Sequence, residues 1–126
     1  MNIVKVSEGI KGYIDNLVDE IAVNDFLVSA IRPIIRMAIE NNFYKVNNIL
    51  KLLADKNGDI NFDKLVDETI SSMLNGKQGS YPIGDFAIAE FGNNALKLTI
   101  PSLNKFFKFD SQDFIKMKNF IIQNYS

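Results

Sequence analysis

The chain of 126 residues has no cysteine, no histidine, no tryptophan and only three prolines. Without cysteine there can be no disulfide, thiolate nucleophile or thiolate metal ligand. Without histidine, the usual zinc sites and every Ser-His or Cys-His catalytic pair are excluded as well. The remaining acid–base groups are carboxylates, lysines and tyrosines, which work near neutral pH only when burial or a neighbour shifts them. An excess of one charge is also missing. The 14 Lys and Arg against 15 Asp and Glu leave a net charge of −1, too weak a field to gather a polyanion or an anionic membrane. No run reaches the roughly 18 to 20 apolar residues of a membrane span, and "MNIVKVSEG" carries neither the basic lead nor the apolar core of a cleaved leader. The expected location is the cytoplasm, or a virion if an assembled particle carries the chain.

What is present folds. A hydrophobic fraction of 47% with 23% charged residues is an ordinary globular composition, and the length suits one domain or two small subdomains. Ile10, Tyr13, Ile14, Leu17, Val18 and Ile21 recur every three or four positions, which predicts a helix over residues 7 to 22. Asn24 or Asp25 can cap a second helix with an unusually wide apolar surface, running from Phe26 and Leu27 through Ile34 and Ile35 to Ile39. Pro33 is expected to kink or restart that helix, and Asn41-Asn42 to end it. Phe43, Val46, Ile49, Leu50 and Leu53 make a third stripe, and Asn61 can cap a fourth helix bearing Phe62, Leu65, Val66, Ile70, Met73 and Leu74.

"NGKQGSYPIG", residues 75 to 84, has the composition of a linker. "FAIAEF", "ALKLTI" and "KFFKF" then alternate over short lengths and read as a three-stranded meander. A two-residue turn at Asn93-Asn94 sets Glu90 opposite Lys97 and gathers Ala89, Phe91, Leu96, Leu98, Ile100, Phe107 and Phe109 on one face. Asp110, with Asp113 three positions on, caps a closing helix whose Phe114, Met117 and Ile121 are expected to cover that face. The fold class is α+β: a helical part of about four helices over 1–75, then a β-β-β-α part over 76–126.

"DKNGDINFDK", residues 55 to 64, places Asp55, Asn57 and Asp59 at the first three ligand positions of a calcium-binding loop. Ile60 then stands where the glycine belongs, and Val66, or Lys64 in a gapped alignment, where the bidentate Glu belongs. A helix–helix turn explains the same residues with fewer demands. Asp15/Asp19 and Asp63/Asp67 share helix faces at four-residue spacing and read as solvated helix faces rather than as metal or acid–base sites, since neither pair has a histidine or a glycine-rich phosphate loop beside it. "GKQGS" is too short for a phosphate loop and follows no strand. The wide surface of the second helix, edged by Arg32 and Arg36, suits a core position, with a membrane interface as the alternative.

The second face of the meander carries Phe86, Ile88, Lys97, Phe106 and Lys108, three large apolar groups among basic ones. A small sheet leaves such a face sticky unless something covers it, either the helical part or another copy. Stacking of single-stranded nucleic acid is the other use of such a surface.

"ILKLLADKNGDINFDKLVDETI", a short meander and "FKFDSQDFIKMKNFI" together resemble small uncharacterised proteins encoded by phages and prophages of bacteria with AT-rich genomes. The resemblance covers roughly residues 49 to 121 and brings no catalytic residue with it. It implies a small assembly or accessory protein. The expectation is thus a non-catalytic module that binds protein, copies of itself included, without cofactor, metal or small-molecule substrate. A divergent calcium binder through Asp55, Asn57 and Asp59 comes second and a nucleic-acid-binding accessory protein third. An enzyme comes last, for want of a nucleophile paired with a base.

Overall fold

The computed structural model describes residues 1–85 and 87–126, apart from the side chain of Leu103. The fold is α+β, with four α-helices and one four-stranded antiparallel sheet among the described residues. By compactness the chain falls into two units, Met1–Ile60 with Asn119–Ser126, and Asn61–Lys118.

In the first unit α1, Ile3–Asn24, and α2, Phe26–Leu53, are joined by Asp25 alone and pack along each other. Asp25 is extended, and its Oδ1 accepts the Val28 N–H at 3.1 Å, satisfying one of the donors that a helix start leaves unpaired. Asn2 does the same for α1 through the Val4 N–H at 2.8 Å. The buried side chains are Val6, Val18 and Ala22 of α1 and Val28, Ile35, Phe43 and Leu50 of α2. Gly9 is buried where a Cβ would stand 2.8 Å from Cγ2 of Ile121, so only a glycine lets α1 approach that fully buried isoleucine. Ile121 therefore belongs to the helical unit.

The second helix and the third stripe form one helix. Pro33 lies inside α2 and Asn41-Asn42 do not end it. Asn42 folds its Nδ2 back onto the Ala38 carbonyl at 2.8 Å, while Ile35, Phe43 and Leu50 keep one buried stripe running past the asparagines. Packing along that stripe outweighs the weak local preference of two Asn residues. The α-helices among the described residues therefore number four where five were expected.

In the second unit Asn61 accepts the Lys64 N–H at 3.1 Å and starts α3, Phe62–Leu74. The sheet follows as β1 (Gly79–Ile83), β2 (Ala87–Gly92), β3 (Ala95–Ile100) and β4 (Lys105–Phe109), paired in sequence order. The sheet has four strands and not three, because β1 forms inside the segment that reads as a linker. Its Pro82 gives up one N–H, which an edge strand tolerates, and Tyr81 packs edge-on against Phe91 with centroids 6.2 Å apart. Asn93 and Asn94 both adopt positive φ, 53° and 61°, the two-residue turn whose twist matches the flanking strands. Glu90 pairs with Lys97 and Phe91 with Leu96, as the alternation predicts. α3 lies against β3. The closing helix α4, Ser111–Tyr125, starts on a reciprocal cap: Asp113 N–H donates to Asp110 at 3.1 Å and Asp110 N–H donates to Asp113 at 2.9 Å.

Candidate functional site

Strand alternation and register decide which side chains meet on the sheet. One face holds Tyr81, Ala89, Leu98 and Phe107 as a row across all four strands, with Ile100 and Ala87 buried on the same side. The other face holds Pro82, Ile88, Thr99 and Phe106 as one row, and Ser80, Glu90, Lys97 and Lys108 as the next. The sequence-predicted residues Ile88, Lys97, Phe106 and Lys108 are thus brought together, while Phe86 lies outside the described residues. Pro82 and Ser80 were missed, because the strand that carries them read as linker; the alternation of Gly79, Tyr81 and Ile83 was the signal for it.

This second face is open. Phe106 is 56% exposed and Ile88 36%. The Lys97 ammonium sits over the Phe106 ring, 4.7 Å from its centroid, an attraction of cation for ring quadrupole. The face therefore has an apolar row beside a row of mixed charge. Such an arrangement can bury area and match charges; among its described residues no nucleophile is set against a base.

The other candidates are engaged locally. Asp55 Oδ1 accepts the N–H groups of Asn57 at 2.8 Å and Asp59 at 3.1 Å, and Gly58 turns the chain at φ 75°. The loop is further clamped by Ile3 N–H donating to the Gly58 carbonyl at 2.9 Å and Ile60 N–H donating to the Met1 carbonyl at 2.8 Å. Asn57 and Asp59 are exposed on this turn, and no three potential ligands converge on a metal position among the described residues. Asp15 and Asp19 accept from Arg36 at 3.2 and 2.9 Å, and Asp19 also from Arg32 at 3.2 Å. Asp63 and Asp67 flank the Lys118 ammonium at 3.3 and 3.2 Å. Hydrogen bonds that the Lys118 ammonium donates to Asp67 and then Asp63 hold its pKa above the ordinary 10.5 against the opposing effect of desolvation. Beside this triad a hollow of 370 Å³ is lined by Ile70, Ser71, Leu74, Asn75 and Ile115, whose only titratable side chain, Asp67, is already bound to Lys118. No helix among the described residues is long and apolar enough to cross a membrane.

No protein-family model, curated protein or solved structure matches the chain.

Proposed function

We propose that the protein is a non-catalytic interaction module that docks protein, copies of itself included, on the open face of its sheet. The observation that carries this reading is the exposed row of Pro82, Ile88, Thr99 and Phe106 lying beside Ser80, Glu90, Lys97 and Lys108. An aromatic anchor beside a polar, solvent-accessible rim is the arrangement that protein interfaces use. Nucleic acid is less well served. Lys97 lies over the Phe106 ring that a base would stack on, Glu90 stands in the basic row, and the chain has no positive excess. The calcium reading is weakened by the use of Asp55 Oδ1 within its own turn. A place among small phage or prophage assembly proteins, in the cytoplasm or on a particle, rests on the sequence resemblance alone.

Light scattering on the wild type and on Phe106→Asp tests the reading. The variant should stay folded and lose mass at concentrations where the wild type associates. An unchanged mass would return the face to plain solvated surface.

A further inference from the structure

α2 has two apolar sides. Val28, Ile35, Phe43 and Leu50 are buried, and at 100° per residue they cluster on one arc. On the opposite arc Leu27 is 50% exposed, Ile34 58%, Met37 64% and Tyr44 57%. With Ala30, Asn41 and Asn48, all exposed, these positions recur in alternating steps of three and four over three heptads. That period keeps a stripe in line only when two helices wind about each other. The stripe carries no charge from Leu27 to Asn48.

We infer that this face of α2 is a parallel, in-register two-stranded seam between two copies of the chain. Taking Leu27 and Ile34 as a positions puts Asn41 and Asn48 at a, where each would meet its own copy. Asparagine at a fixes register and favours two strands over more. Glu40 then falls at g and Lys45 at the following e, the pair that joins partner helices in a parallel arrangement. An antiparallel one would set glutamate near glutamate and lysine near lysine. Glu40 already holds Lys11 at 2.9 Å through one oxygen but is 68% exposed, so its carboxylate can serve both. Val28, Ile35, Phe43 and Leu50 take the b and c positions, so α1 packs on the far side and leaves the seam clear. The stripe is about 33 Å long and one helix face, about 10 Å, wide, the scale of a small interface rather than an obligate one.

The inference deepens the proposed self-association but uses a different surface, so the two fail separately. Sedimentation equilibrium of the full chain should show the mass doubling between about 5 μM and about 500 μM. In the Phe106→Asp background, where the sheet face cannot contribute, Met37→Glu should abolish the doubling with an unchanged circular dichroism melt. Glu40→Lys and Lys45→Glu should each weaken the dimer about twofold to fivefold, and the double exchange should restore it. In this cysteine-free chain Asn48→Cys should form a symmetric disulfide under mild oxidation. A monomer throughout overturns the inference, as does a dimer indifferent to Met37→Glu or an Asn48→Cys variant that dimerises without cross-linking. A monomer that floats with phosphatidylglycerol vesicles also overturns it and gives the face to lipid. If Phe106→Asp leaves the dimer intact while Met37→Glu removes it, the seam stands and the sheet reading falls.

Discussion

The helical unit and the sheet unit both leave apolar side chains in solvent, but they do so in different ways. In α2 the uncovered groups form a stripe with the period of a helix–helix contact, opposite a stripe already buried. On the sheet the uncovered groups form one row of a pleated face, beside a charged row and with a lysine over the aromatic. A helix announces how many partners it has by the width of its apolar arc, and an arc on both sides calls for two. A strand announces only which residues share a face, and which face is covered depends on what packs there.

The contrast is sharpest between two phenylalanines. Phe43 of α2 is 4% exposed and Phe106 of β4 is 56% exposed. Phe43→Ala should cost about 3 to 5 kcal/mol, the loss for a buried aromatic that leaves a cavity. Phe106→Ala should cost under about 1 kcal/mol in dilute solution, where no partner covers the ring. Urea unfolding of the two variants measures both. A large loss at Phe106 would mean that the sheet face is covered within the chain, and the comparison would collapse.

Gly9→Ala probes how tightly the helical unit closes. In an open helix the change would gain about 1 kcal/mol from backbone entropy. Here the new methyl would meet Ile121 at 2.8 Å, and Ile121 is fully buried with no room to retreat. A net loss of about 1 to 3 kcal/mol is expected from overpacking. A thermal melt at or above the wild-type midpoint would show that α1 and Ile121 can part without cost.

Asn93→Ala asks the corresponding question of the sheet. Asn93 sits at φ 53°, a region that costs a residue with a plain Cβ about 1 kcal/mol or more. Asn93→Gly should be close to neutral because glycine adopts the same turn. If Ala and Gly behave alike, the turn relaxes to another type and the Glu90–Lys97 register is not fixed by it.

Much of the fold was legible because local chemistry and tertiary packing agree there. Asp25, Asn61 and Asp110 cap the helices that their positions announce, and Asn93-Asn94 make the turn that sets the register. The misses lie where the two disagree. Asn41-Asn42 and Pro33 are poor helix residues, yet a stripe from Ile35 to Leu50 carries the helix through them. Gly79–Ile83 has linker composition, yet the free edge of β2 recruits it as a strand. The row of Ile88, Lys97, Phe106 and Lys108 followed from alternation and register alone. The exposed side of α2 did not, since a sequence shows that an arc is apolar but not which half of it finds a partner.

The smallest expected effect lies at the two pH extremes of the sheet unit. The Asp110 carboxyl is held below its ordinary 3.8, first by the Asp113 N–H. The folded state thus binds that proton less readily than the unfolded one. The stabilisation is complete above the ordinary value and is lost as pH falls through the lower, folded one. Lys118 is the mirror case. Its pKa is raised above 10.5 by Asp67 and Asp63, so its contribution is complete below 10.5 and is lost as pH rises through the folded value. Between these limits neither group should give stability any slope. Urea unfolding across the pH range, repeated on Asp110→Asn and Lys118→Met, should show the acid limb flatten in the first and the alkaline limb in the second. Asp110 is exposed and Lys118 partly so, so the change should be modest and should shrink with salt. An alkaline limb identical in wild type and Lys118→Met would mean that α3 and the start of α4 are not held together by this triad.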